Sequence, residues 1–257
     1  MEFRGVRQRA MRGELLIGIH AVEAALEHDA VHVLELYLES GVHNPRLKRI
    51  ADRARELGLT PHARERIALD RMTGGARHQG AVARWEAPPP LPDSTLPERA
   101  AAAGRDALFL VLDGVTDPHN LGACLRSALA AGVTAVVVPK DRAVALTPTV
   151  RRAAAGAADQ VPVVVATNLA RSLRALKDAG VWLTGLDATA QRPLYAIDLT
   201  GPTAIVLGGE GEGLRRLTRE HCDHVASIPM AGGAESLNVS VAAGIALFEA
   251  RRQRGVG

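Results

Sequence analysis

The second part of the chain alternates short, continuously apolar runs with segments of helical periodicity, and this pattern constrains the fold most strongly. The apolar runs are Ala107–Leu112, Ala135–Val138, Val161–Val165, Val181–Gly185, Thr203–Leu207 and Val225–Ile228. Helices are expected between and after them, near 121–131, 148–157, 169–179, 214–222 and 237–254. Strands without polar alternation, separated by helices, predict an α/β domain whose mostly parallel sheet is covered on both faces.

A smaller α/β unit is predicted ahead of this sheet. Strands are expected at 33–38 and 81–85, and Pro45 begins a helix between them, because proline fits the first turn of a helix. The prolines of 88–92 favour an extended spacer. The chain is therefore divided into a basic, disordered arm at 1–13, an N-terminal domain at 14–86, a proline-rich linker at 87–105 and a second domain at 106–257.

Composition limits the classes of function open to this chain. Aromatic residues make up only 3% of the 257 residues, which argues against the aromatic stacking platforms of single-strand-binding proteins. The formal charge of +3 and the pI near 9.2 permit a nucleic-acid partner without establishing one. No apolar run is long enough for a membrane helix, and the N-terminus lacks the apolar core of a signal peptide, so a cytoplasmic protein is expected.

The two cysteines, Cys124 and Cys222, lie far apart in the sequence. Neither a redox pair nor a zinc cluster can be built from them, so no metal is expected. Both are interpreted as small buried thiols of a protein in a reducing compartment.

Three polar clusters each follow an apolar run. They are 112–126, 208–213 and 236–242. Ligands of parallel α/β sheets bind beyond the carboxyl ends of the strands, so the three clusters are expected to meet at one edge of the sheet. This edge is the predicted functional site.

The glycine-rich cluster at 208–213 does not have the character of a phosphate-binding loop. Its spacing is not G-x-G-x-x-G, and it contains the carboxylates Glu210 and Glu212, which would repel a pyrophosphate. A nicotinamide oxidoreductase is therefore disfavoured. A ligand that is neutral or cationic at its adenosyl end fits better, held by backbone groups that glycines leave uncovered.

Other polar residues have open roles when each is taken alone. Asn120 either caps a helix or takes part in chemistry, and Arg126 is either a site residue or a surface charge. In the N-terminal unit, Arg77, His78 and Gln79 occupy a glycine-containing loop. That loop suits contacts with phosphates and base edges, and a solvated turn would have the same composition.

The segments 112–126, 205–214 and 228–230 with 236–242 resemble, in order and spacing, the three motifs of the SpoU (TrmH) family. This family comprises RNA ribose 2′-O-methyltransferases of the SPOUT class, and the resemblance covers residues 106–254. It implies a C-terminal trefoil knot, S-adenosylmethionine as methyl donor and a homodimer with its sites at the subunit interface. The cofactor positions implied are Leu207, Gly208, Gly209, Ile228, Met230 and Leu237, and the catalytic positions are Asn120, Arg126, Glu210, Ser236 and Asn238.

Further segments resemble those family members that methylate a guanosine ribose in 23S ribosomal RNA. They are 113–120, 138–142, 228–232 and 248–254, together with 18–22 and 78–80, which resemble an N-terminal substrate-binding domain. The resemblance implies ribosomal RNA as the partner. Two alternatives stay open: a transfer-RNA ribose methyltransferase of the same family, and a non-catalytic RNA-binding or ribosome-assembly protein with this fold.

Overall fold

A computed structural model describes residues 13–28, 30–86, 90–211, 213–232 and 235–255. The chain divides into two compact units, residues 1–89 and 90–257. The predicted basic arm lies, apart from Gly13, outside the described residues. Among the described residues, no helix is both long and apolar enough to cross a membrane.

The described residues of the first unit form a four-stranded mixed sheet with three α-helices. Its strands stand in the order β1-β4-β2-β3, where only β2 and β3 pair in parallel. The strands are β1 Glu14–Ile17, β2 Val33–Glu39, β3 Pro61–Arg64 and β4 Ala81–Trp85, and the helices are α1 Ile19–His28, α2 Pro45–Glu56 and α3 Arg66–Thr73. The predicted small α/β unit is confirmed in its architecture.

Helix α2 begins where the sequence predicts. The side-chain oxygen of Asn44 accepts a hydrogen bond from the backbone N–H of Arg46 at 2.9 Å, and Pro45 fills the first turn. Residues spaced three and four apart face inward and are buried, namely Leu47, Ile50 and Ala54. The helix therefore covers the sheet with its apolar face.

The second unit is a seven-stranded sheet with helices on both faces. Its strand order is β11-β9-β10-β6-β7-β8-β5, and every ladder is parallel. The strands are β5 Leu91–Pro92, β6 Leu108–Asp113, β7 Ala135–Pro139, β8 Val163–Ala166, β9 Trp182–Leu186, β10 Thr203–Gly208 and β11 His224–Ala226. The helices are α4 Leu96–Ala103, α5 Pro118–Ala130, α6 Pro148–Ala154, α7 Ala157–Gln160, α8 Leu169–Asp178, α9 Arg216–His221 and α10 Val239–Gln253.

Alternate side chains of the central strands enter two separate cores. In β6, Leu108, Leu110 and Leu112 pack into one core, while Phe109 and Val111 pack into the core on the opposite face. The predicted parallel sheet with two covered faces is thereby confirmed. The trefoil knot stays a prediction from the family resemblance.

The linker prediction for 87–105 differs from the structure. Residues 91–103 are part of the second unit: β5 pairs with β8, and Leu96 and Ala100 of α4 are buried in its core. The adjacent prolines dominated the sequence pattern, whereas a two-residue edge strand and two apolar residues four apart leave only a weak signal.

The helix expected over 148–157 is also interrupted. Ala155 has a φ of 49° and Gly156 a φ of 86°, so the chain turns through the left-handed region between α6 and α7. Helix α6 can lie close against α5 because Gly122 of α5 has no side chain. A Cβ at this position would overlap Ala153 of α6.

Candidate active site

The carboxyl ends of β6 and β10 lie side by side and bring two of the predicted clusters together. Gly208, the last residue of β10, pairs with Asp113, the last residue of β6. A Cβ on Gly209 would collide with the carbonyl of Gly114, so the two loops approach at backbone distance. The predicted meeting of these clusters is confirmed.

The glycine loop after β10 folds back on itself. The N–H of Gly213 donates to the carbonyl of Gly209 at 3.1 Å, and a Cβ on Gly208 would overlap the carbonyl group of Gly213. Gly211 and Gly213 have φ values of 80° and 64°. The loop therefore needs glycine for its closure and its left-handed turns.

Asp113 anchors the far side of this loop from inside the protein. Its carboxylate is buried and accepts hydrogen bonds from Arg215 and from the hydroxyl of Thr218. A buried carboxylate with charged and neutral donors is a stable arrangement, since its charge and lone pairs are satisfied. The role of Asp113 is to fix the loop rather than to react.

A cavity of about 550 Å³ opens beside the glycine loop. Every residue that the family resemblance assigns to the cofactor lines it: Leu207, Gly208, Gly209, Ile228, Met230 and Leu237. The segment 186–189, which begins at the last residue of β9, also lines the cavity, together with Val239 and Ala242 of α10. This segment was not among the residues predicted from the sequence, although its place after a predicted strand is the signal that could have identified it.

The charged side chains that line the described part of the cavity are carboxylates. They are Asp187 and Glu210, and no lysine, arginine or histidine stands among the lining residues. Asp187 is partly neutralised, because it accepts hydrogen bonds from Arg219, which lies outside the lining, and from Thr189. This environment favours a neutral or cationic ligand over a pyrophosphate.

Three of the five predicted catalytic residues form one chain of hydrogen bonds. The side-chain amide of Asn120 donates to the carboxylate of Glu210, and the amide of Asn238 donates to Oδ1 of Asn120 at 3.0 Å. Oδ1 of Asn238 also accepts from the backbone N–H of Ser240 at 2.8 Å and thereby caps α10. Each of the three clusters contributes one member of this chain.

The other two predicted catalytic residues occupy different positions. Ser236 is exposed and lines the cavity. Arg126 is exposed on α5, and helical geometry places it about 9 Å along the axis and roughly 120° around from Asn120. Within the described part of the chain, its guanidinium takes part in no hydrogen bond or ion pair.

Both thiols are unsuited to nucleophilic chemistry. Burial raises the pKa of Cys124 to about 12, and burial beside Asp223 raises that of Cys222 to about 12. A thiol reacts as its thiolate, so both groups stay inert near neutral pH. The interpretation of Cys124 as a buried thiol is confirmed, and Cys222 is only partly buried.

In the first unit, the loop predicted to bind RNA is divided between surface and interior. Arg77 and Gln79 are exposed, but His78 is only 2% exposed. Nδ1 of His78 accepts from the N–H of Gly80 at 3.0 Å, which leaves Nε2 to donate to the carboxylate of Asp70 at 3.0 Å. The assignment of His78 to direct RNA contact is therefore corrected: it holds the loop from inside.

The fold and the site together define an α/β protein with a ligand-sized cavity beyond the carboxyl ends of its parallel strands and a separate N-terminal unit. A family model described as SpoU rRNA Methylase family matches residues 107–248, and one described as RNA 2'-O ribose methyltransferase substrate binding matches 15–91. The chain belongs to the SpoU methylase family, as the motifs predicted.

Curated relatives match over nearly the whole chain. The 23S rRNA (guanosine-2'-O-)-methyltransferase RlmB of Xylella fastidiosa (strain 9a5c) is 55% identical over 95% of this chain and 98% of its own length. The protein of the same name from Photobacterium profundum is 50% identical over 96% of this chain and 100% of its own.

Solved structures match in fold as well. AviRb, the SpoU methyltransferase from Streptomyces viridochromogenes in complex with AdoMet, has a TM-score of 0.77 at 28% identity and covers 98% of this chain and 94% of its own. An AdoMet-bound rRNA methyltransferase from Sinorhizobium meliloti has a TM-score of 0.76 at 25% identity and covers 95% and 89%.

Proposed function

We propose that this chain transfers a methyl group from S-adenosylmethionine to the ribose 2′-oxygen of a guanosine in 23S ribosomal RNA. The observation that carries the proposal is the convergence of Asn120, Glu210 and Asn238 beside a cavity lined by all the predicted cofactor positions. Relatives named for this reaction, 49–55% identical over at least 94% of the chain, support the substrate.

The cavity fits S-adenosylmethionine in its chemistry. Apolar side chains such as Leu237 and Ile228 suit the adenine ring, and the glycine loop offers backbone groups to its polar atoms. The carboxylate of Glu210 and the absence of cationic side chains among the described lining residues suit a sulfonium. S-adenosylmethionine supplies the electrophilic methyl group when it is bound.

The task of the protein is to align the ribose 2′-hydroxyl oxygen with the methyl group and to remove the proton of that hydroxyl. Asn238 and Asn120 present fixed amide groups, because Asn238 donates to Asn120, Asn120 donates to Glu210, and Asn238 also caps α10. Such positioning recovers a large part of the barrier. Glu210 accepts the hydroxyl proton or orients the hydroxyl, and Ser236 binds a ribose hydroxyl.

Arg126 is proposed to clamp a phosphate next to the reacting ribose and to stabilise the developing oxyanion. A guanidinium stays protonated under nearly all conditions, so it is a poor general base. Its exposure on α5, without an ion-pair partner in the described chain, leaves the cation available to RNA.

The first unit is proposed to bind the ribosomal RNA outside the reacting nucleotide. Arg77 and Gln79 are exposed on a loop whose shape His78 and Gly80 fix from inside. A cation and an amide on a rigid loop are suited to phosphate and base-edge contacts.

A homodimer is proposed to form through the outer face of α10. The inner face of this helix buries Ala243, Ala246 and Leu247, whereas Val241 and Phe248 are 49% and 50% exposed. Large exposed apolar side chains on one helix favour an interface, and two-fold symmetry would bring the same face of a second copy against it. The two unpaired thiols fit a reducing, cytoplasmic location.

The experiment that tests the function is ribose-methylation mapping of total RNA from cells with and without the protein, coupled to transfer of labelled methyl groups in vitro. We expect one guanosine of 23S rRNA to lose its 2′-O-methyl group in the absence of the protein. Loss of a transfer-RNA methylation instead would identify the sister activity, and failure to modify any RNA would support a non-catalytic binding protein.

A further inference from the structure

A second cavity, of about 550 Å³, opens beyond the carboxyl ends of β7 and β8. Its lining contains four cationic side chains and a single carboxylate, in contrast to the cofactor cavity. The cations are Lys140, Arg142, Arg215 and Arg216, and the carboxylate is Asp141. We term this the basic cavity, and it has a net positive lining at the edge of the sheet where ligands bind.

Two of the four cations are already engaged, and two are available. Arg215 bonds the buried Asp113, and Arg216 donates to Glu220 at 2.6 Å. Lys140 and Arg142 are exposed and have neither hydrogen bonds nor ion pairs from their side chains within the described residues. An anionic ligand would therefore meet two side-chain cations that pair with no described carboxylate, beside the one carboxylate of the lining, Asp141.

The basic cavity is joined to the reaction site through shared loops. The N–H of Val144 donates to the carbonyl of Val115 at 3.1 Å, so the loop that carries Lys140 and Arg142 is fastened to the first catalytic cluster. The segment that leaves the glycine loop enters the second lining directly, since Leu214 faces one cavity and Arg215 the other. One extended ligand could follow this path from the cofactor to the basic cavity.

The lining also contains an apolar surface that a simple anion would not use. Leu217 is 55% exposed and lies among the cations. A nucleotide presents a phosphate together with an apolar sugar and base face, so it matches both parts of the lining. This favours nucleic acid over a small inorganic anion.

We propose that the basic cavity is a second RNA-backbone site of the catalytic domain, where Lys140 and Arg142 hold a phosphodiester of the same RNA strand that enters the reaction site. The inference rests on the proposed function, because it takes ribosomal RNA as the substrate. It assigns to these two residues a share of substrate affinity and no part in the chemical step.

The test compares two variants with the same change in charge. Lys140→Ala is combined with Arg142→Asn, because Arg142 has a φ of 60° that asparagine adopts more readily than alanine. The control is Arg105→Glu, an exposed residue that precedes β6 at the opposite edge of the sheet. Binding of a 23S rRNA transcript is measured at several KCl concentrations, together with methyl transfer and S-adenosylmethionine affinity.

We expect the double variant to bind the transcript at least about tenfold more weakly and to raise KM while kcat and cofactor affinity persist. The slope of log affinity against log salt should fall by about one for each cation removed. Unchanged RNA binding, or an equal loss in Arg105→Glu, would overturn the inference. Failure of the proposed function would be distinguished from failure of this inference, because the unaltered protein would then transfer no methyl group.

Free nucleotides provide a further arm. Guanosine monophosphate and inorganic phosphate are added as competitors of the transcript at fixed salt. Weak competition, with millimolar inhibition, is expected of a site that holds one phosphodiester of a long strand. The inference would be overturned if either competitor bound the protein tightly, lost this binding in the double variant and did not displace the transcript. The cavity would then be assigned to a small ligand.

Discussion

Asn238 donates a hydrogen bond from Nδ2 to Oδ1 of Asn120 at 3.0 Å, across 118 positions of sequence. The same asparagine caps α10 through Ser240, and Asn120 in turn donates to Glu210. One side chain therefore fixes both the start of a helix and the alignment of two other site residues. Under the proposed function, this position therefore links the stability of α10 to the alignment of the catalytic residues.

Replacement of Asn238 by alanine should separate these two roles when it is matched with Asn44→Ala. Each asparagine caps a helix, so each variant is expected to lose about 1 kcal/mol of unfolding free energy. Only Asn238→Ala should also lower kcat, because Asn120 and Glu210 lose their alignment. Denaturant unfolding and single-turnover methyl transfer measure the two effects, and an equal drop in kcat for both variants would contradict this role.

Arg126→Ala should lower kcat by roughly 100-fold or more, the cost of removing a donor that stabilises oxyanion charge. Affinity for S-adenosylmethionine should persist, because Arg126 does not line the cofactor cavity. Calorimetric titration and single-turnover rates test the two statements. Arg126→Lys keeps the charge and should recover part of the rate. If Arg126→Ala lost cofactor affinity in parallel with kcat, the role proposed for Arg126 at the RNA phosphate would be wrong.

Gly208→Ala should abolish cofactor binding, because its Cβ would overlap the backbone of Gly213 and force the loop apart. The control is Gly201→Ala, where a Cβ meets no atom within 4 Å and the backbone is not left-handed. Cofactor affinity and thermal midpoint are measured for both variants. If Gly208→Ala binds the cofactor normally, the closed loop is not the cofactor support.

His78→Ala and Arg77→Ala should give opposite results although the residues are adjacent. The first removes a buried side chain that bonds Gly80 and Asp70, so the unfolding free energy should fall by about 1–3 kcal/mol. The second removes an exposed cation, so stability should hold while RNA affinity falls. Thermal unfolding and filter binding distinguish them, and the reverse pattern would restore His78 as an RNA contact.

Phe248→Glu should convert the proposed homodimer into monomers, since a carboxylate would be buried at the apolar face of α10. Val31→Glu serves as the control, because Val31 is 84% exposed in the first unit. Sedimentation velocity at micromolar concentration measures the oligomeric state. A monomeric unaltered protein, or an unchanged dimer in Phe248→Glu, would contradict the proposed interface.

Much of the fold could be predicted because its main signals are local in sequence. The buried run at 107–112 and the helix that Pro45 begins both follow from periodicity and turn chemistry. The packed segment 91–103 could not, since its place depends on pairing with β8, a contact remote in sequence. Prolines alone do not distinguish a free spacer from an edge strand.

The site divides in the same way. The end-of-strand rule and the motifs predicted Gly208 and Leu237 as cofactor positions, and both line one cavity, but they did not reveal that Asn120, Glu210 and Asn238 bond one another. Residue type also did not indicate burial. His78 was predicted to contact RNA at the surface, but in the structure its ring is buried and bonds Asp70. Side-chain direction is a tertiary property, so sequence spacing fixes it only partly.

The closure of the loop at Gly208 and Gly213 has a consequence for engineering this enzyme. Because backbone meets backbone there, no room can be created by trimming a side chain. Space for a bulkier alkyl donor in place of the methyl donor must come from Leu237, Ile228 or Met230, where shortening a side chain enlarges the cavity. Under the proposed function, donor specificity is therefore adjustable through these three side chains and fixed at the closed glycine loop.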